Sequence, residues 1–222
     1  MIFDWPANLV PIDVTVRPPR KTVGLNTSVS EVTQAVPGIR PPFGLTIEFQ
    51  DLFGDEILAY RAALALFEGR ANKVRIPLFD VWFAAKQRQI GGGLSTHSDG
   101  TTFSDGASYL TDDLANVLVT GTQGDRMITA DFGDYGQLLQ GGLYFGLGDY
   151  PYVATGVWWE GTVARIRCSP TLRIDYAGEP LKLKPVMIAG LPDDDNGQLS
   201  LRRQRWGSAT LDLVERFDGL LP

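Results

Sequence analysis

The sequence predicts a mainly β protein, a sandwich or barrel, with one principal α-helix packed on a sheet. Two observations carry that expectation. Short β-prone runs recur between turn residues along most of the chain, and only one stretch repeats its apolar residues at helical spacing. The 25 Gly and 14 Pro are spread between the apolar runs, as turns between many short strands require.

The first forty residues, with Pro18-Pro19 and then Pro41-Pro42, lack helical periodicity and read as extended edge strands or an arm. Phe43, Leu45, Ile47 and Phe49 then alternate with Gly44, Thr46, Glu48 and Gln50, which gives a strand with one core face and one wet or contacting face. A helix is expected over 55–68, where Ile57, Tyr60, Leu64 and Phe67 recur at i, i+3, i+7 and i+10, with Leu58 and Ala65 beside them. Gly69 suits its C-terminal cap, and 74–79 reads as the next strand. The Gly, Ser, Thr and Asp tract 91–106 reads as a polar loop or hairpin. Seven β-prone runs follow, at 117–120, 127–132, 143–145, 152–158, 163–168, 181–187 and 211–217. The expected organisation is an N-terminal part of strands plus helix (1–90), the polar loop or hairpin (91–110), and a C-terminal β-rich part (111–222) that can share one core with the first.

A chain of 222 residues can bury a sizeable core, and its net charge of -6 repels phosphate, so nucleic acid is not an expected partner. Cys168 is the only cysteine, which excludes an intrachain disulfide. The opening Met1-Ile2-Phe3-Asp4-Trp5-Pro6 carries an acid where a signal peptide needs positive charge. No stretch reaches the ~20 apolar residues of a membrane span.

Residue types that could carry chemistry are few. His97-Ser98-Asp99 holds the types of a hydrolase triad, but neighbours in one loop are poorly placed for it, and a polar turn is the better reading. With one His and one Cys, a nitrogen and sulfur metal site within the chain is not expected. Asp193-Asp194-Asp195-Asn196-Gly197 places Gly fifth instead of sixth, fails as an EF-hand loop, and reads as a solvated turn. No catalytic, cofactor-binding or metal residue is therefore assigned, and the chain is not expected to be an enzyme. The interface candidates are Trp158 and Trp159, one of which alternation puts in the core and one outside, and the cluster Arg202, Arg203, Arg205 and Trp206. Trp158 and Trp159 could instead be the platform of a carbohydrate-binding module or, with a carboxylate such as Asp149 or Glu160, part of a glycan hydrolase.

Over 139–217 a Gly-rich turn leads into Leu143-Tyr144-Phe145. Tyr152-Val153-Ala154-Thr155-Gly156-Val157, Gly161-Thr162-Val163-Ala164-Arg165-Ile166 and Ser169-Pro170-Thr171-Leu172-Arg173 follow, and Leu211-Asp212-Leu213-Val214-Glu215 closes the series. This pattern resembles bacteriophage tail-tip and baseplate structural proteins. Glu68-Gly69-Arg70-Ala71-Asn72, before the strand that begins at Val74, is similar to the distal tail proteins of long non-contractile-tailed phages. The resemblance covers about two-thirds of the chain. It implies a β-sandwich protein of the virion tail, assembled in the host bacterial cytoplasm. Such a protein forms a symmetric ring, a hexamer or trimer, with tail-tube and host-recognition proteins as neighbours. It transfers no catalytic residue.

Overall fold

The structure, a computed structural model, describes residues 1–20, 22–27, 33–38, 40–79, 114, 116–202 and 206–217, with the backbone alone over 22–27, 33–37 and at 134. The polar tract 91–110, the expected boundary within 80–110, Arg203 and Arg205 lie outside the described residues.

The N-terminal extended segments become β1 (Ile2–Asp4), β2 (Asp13–Arg17), β3 (Thr22–Thr27) and β4 (Thr33–Pro37). β3 and β4 form a two-stranded sheet of their own. The alternating run forms β5 (Gly44–Leu52), which buries Leu45, Ile47 and Phe49. After the helix α1 (Asp55–Leu66) comes β6 (Lys73–Pro77). The main sheet then gains β13 (Val186–Gly190), β14 (Ser200–Arg202) and β15 (Trp206–Glu215) from the far end of the chain. Its order is β1-β6-β13-β15-β5-β2, with β14 on the free side of β15. The edges β1 and β2 both come from the first forty residues, as their Pro-punctuated sequence suggested.

The helix lies on the inner face of this sheet. Tyr60, Ala63 and Phe67 are buried there, and Ile57, Ala59 and Leu64 pack against the same core. Leu58 and Ala65, placed beside that stripe by the sequence, face solvent instead. Each stands about 100° of helical turn from a partly buried neighbour, Ile57 or Leu64, so the stripe is narrower than their apolarity suggests. Glu68 and Gly69 take left-handed φ of 47° and 67°, and Asn72 caps the exit by donating from Nδ2 to Leu66 O at 2.8 Å. Trp5 stacks on Phe49 and donates to Leu9 O at 2.9 Å, which folds the N-terminal segment over the same core.

Between β6 and β13 the chain builds a second core. β7 (Leu118–Gly121), β8 (Met127–Asp131), β9 (Tyr144–Leu147), β10 (Tyr150–Glu160), β11 (Val163–Ser169) and β12 (Tyr176–Lys182) close into a six-stranded barrel in the order β10-β11-β8-β7-β12-β9. Tyr152, Phe145, Ile166 and Leu147 fill its interior. The fold is thus mainly β with one helix on a sheet, and the barrel is inserted into that sheet. The run 181–187, which reads as one strand, is two. β12 closes the barrel, and β13 leaves it after Pro185, whose missing N–H suits a strand start.

Candidate interaction surfaces

The barrel and the sheet are joined by charged side chains. Arg173, in the segment before β12, donates from Nη2 to Glu215 Oε2 on β15 at 3.0 Å and to Pro41 O at 2.7 Å. Both side chains of the ion pair are 1% exposed. The same carboxylate oxygen accepts the Phe43 N–H at 2.8 Å, and the Arg173 guanidinium lies 4.5 Å from the Phe217 ring centroid. Desolvation is the foremost influence on Glu215 and raises its pKa, while the attraction of Arg173 opposes the rise. A second clasp lies nearer the surface. Arg75 on β6 grips Asp149 with Nε at 3.1 Å and Nη2 at 3.0 Å, and reaches Asp4 of β1 with Nη1 at 3.1 Å.

These contacts use the residues that drew the resemblance. Arg173 ends the Pro-x-Leu-Arg segment and Glu215 ends the closing strand, so two motifs more than forty positions apart in the sequence meet in one buried pair. Asp149, a candidate acid for sugar cleavage, is held by Arg75, and Glu160 stands at the far end of β10. At strand rise that separation is on the order of 30 Å, beyond the ~5–10 Å of paired glycosidase carboxylates. Among the described residues no group of three His, Cys, Asp or Glu is placed to hold a metal ion. The turn at Asp193–Gly197 serves the fold. Asn196 Oδ1 accepts the Asp212 N–H at 2.8 Å, and Gly197 O accepts Tyr60 OH at 2.7 Å.

Trp158 and Trp159 divide as alternation requires. Trp159 packs edge-on against Phe132 at 5.0 Å beside the barrel core, and Trp158 is 53% exposed on the barrel wall. Their faces are set by a bulge at Thr155. β10 turns Tyr150, Tyr152 and Ala154 inward, the pairing with β11 slips between Ala154 and Gly156, and Val157 and Trp159 then become the inward set. The Trp158 ring rests on Gly156, where a Cβ would come within 2.8 Å of it.

Arg202 and Trp206 pair across β14 and β15, and the 46% exposed Trp206 leans on Phe53 with ring centroids 5.2 Å apart. They border a groove of about 880 Å³ on the outer face of the main sheet. The sequence did not single out Gln50, Asp51 or Gln198 at this groove, nor Phe53 against Trp206. One signal was present: the buried phase of β5 runs 45, 47, 49 and then jumps to Leu52, which marks a bulge at Gln50 and Asp51. No family model matches the chain, and no curated protein matches it either. Among the described residues, no helix is long and apolar enough to cross a membrane.

Proposed function

We propose that the chain is a structural subunit of a bacteriophage tail tip or baseplate, one copy of a symmetric ring between the tail tube and the host-recognition proteins. It works by assembly in the virion tail and not as an enzyme. The observation that carries this reading is the pair of unlike ends of the main sheet, which no further strand among the described residues covers. At one end β1 begins with exposed Ile2, preceded by exposed Met1, and at the other β2 stands beside exposed Val10 and Ile12. Two different apolar edges on one subunit suit head-to-tail contacts, which close into a ring when the rotation allows. The clasp of Arg173 and Glu215 supports the same reading, because the residues behind the resemblance do structural work where the two cores meet.

The test is multi-angle light scattering with electron microscopy of the purified chain. Hexameric or trimeric rings are expected. A chain that remains monomeric up to the highest soluble concentration would overturn the proposal.

A further inference from the structure

We infer that the groove on the outer face of the main sheet binds a neutral oligosaccharide, with Trp206 as its stacking platform. Alternation places Glu48 and Gln50 of β5, and Ser208 and Thr210 of β15, on the face opposite the core, where they form the floor of the groove. Its volume of about 880 Å³ is within the ~300–1,000 Å³ of ligand clefts.

The backbone is shaped toward this groove. Between the pairs Phe49↔Ala209 and Leu52↔Gly207, β5 spends two residues where β15 spends one. Gln50 and Asp51 therefore both emerge opposite Ser208, and Asp51 takes a φ of 60°, which L residues rarely adopt. A bulge at such a place re-aims side chains. Trp206 is braced by Phe53 at 5.2 Å, so its ring is held before any ligand arrives.

The lining selects the ligand by its chemistry. A pyranose offers an apolar C–H face for an indole and a rim of hydroxyls that both donate and accept. Gln50 and Gln198 carry amides with both capacities, and neither makes a hydrogen bond among the described residues. Three carboxylates, on Glu48, Asp51 and Asp195, face one guanidinium, on Arg202, among the described lining residues. The described lining thus disfavours phosphate and sulfate esters. The Ser and Thr floor also lacks the apolar pocket that anchors a protein hot spot. Trp158 is a weaker platform, since Gly156 covers part of its ring.

The experiment titrates the full chain separately with maltohexaose, cellohexaose, xylohexaose and chitohexaose, by tryptophan fluorescence and calorimetry. At least one should bind saturably at millimolar concentration or below. Trp206→Ala should weaken that binding about tenfold or more. Gln50→Ala and Gln198→Ala, exposed and without partners to lose among the described residues, should each weaken it several-fold at unchanged melting temperature, and they keep the test open if Trp206→Ala does not fold. Trp158→Ala should leave it unchanged. The inference is overturned if none of the four glycans saturates, or if Trp158→Ala and not Trp206→Ala removes binding. It is also overturned if Trp206→Ala dissolves an oligomer without changing glycan affinity, which would make the groove a contact between copies. The inference stands apart from the ring proposal, since a ring without glycan affinity or a monomer with it separates the two.

Discussion

Arg173 and Glu215 show what a single buried pair does between two cores. Neither side chain has water to fall back on, so each is tolerated because the other is present. Arg173 Nε and Nη1 and Glu215 Oε1 have no hydrogen-bond partner among the described residues, and the Phe217 ring lies against the guanidinium. Removing one partner strands a charge. Glu215→Ala is expected to cost about 3–5 kcal/mol in urea unfolding, and the double variant Arg173→Met with Glu215→Leu clearly less. A double variant no more stable than Glu215→Ala would show that the pair is not the source of the loss. Cys168 is a quieter case. Burial pushes its thiol from 9.0 up to about 11. The folded state thus holds its proton longer than the unfolded chain, and the stability this provides is complete below pH 9.0 and is lost as pH rises through about 11. In the folded protein at pH 8 a disulfide reagent should modify Cys168 far more slowly than in urea. Equal rates would place the thiol at the surface.

At the scale of the element, bulges decide which side chains are available. Deleting Thr155 removes the extra residue of β10 and restores plain alternation, so Trp158 should stay outside and open to iodide quenching. Deleting Val157 shortens the same strand equally but moves Trp158 inward and Trp159 outward, with a loss of several kcal/mol. Equal quenching and stability in the two variants would refute this placement of the bulge. The helix offers a simpler test. Leu64 packs on the inner core beside Gly197, where a Cβ would come within 3.2 Å of it, and Leu64→Asp should cost about 2–4 kcal/mol of stability. An unchanged melting temperature would mean that this face is not buried. The same residues show what the sequence made legible. Period-two and period-3.6 patterns placed β5 and the buried helix face, because core burial enforces them. Within 181–187 only Pro185 hints at a break, and nothing local showed that β12 and β13 belong to different sheets, since that is set by β12 pairing with β9 and β13 pairing with β6, more than a hundred positions back. The groove was hidden for a similar reason: Gln50, Asp51 and Gln198 are ordinary surface residues until β5 and β15 bring them together.

For the whole molecule, the inserted barrel leaves the main sheet with two unlike ends, and the proposed ring makes a prediction that ordinary oligomers do not share. Ile2 and Ile12 are exposed, so a lysine at either should change folding stability by less than about 0.5 kcal/mol. In a head-to-tail ring every contact needs one β1 end and one β2 end. Ile2→Lys alone spoils the first patch in every copy, Ile12→Lys alone spoils the second, and each variant should be monomeric. Mixed in equal amounts, the two restore one contact and no more. The intact β1 end of Ile12→Lys meets the intact β2 end of Ile2→Lys, and growth stops at a heterodimer because the remaining ends are both spoiled. Contacts in which like ends meet give the opposite result, since each variant would dimerise alone through its untouched end and mixing would add no new species. Light scattering of the two variants, separately and mixed, distinguishes these outcomes. Monomers that combine into a heterodimer support the ring, and homodimers of either variant rule out a head-to-tail assembly through these edges.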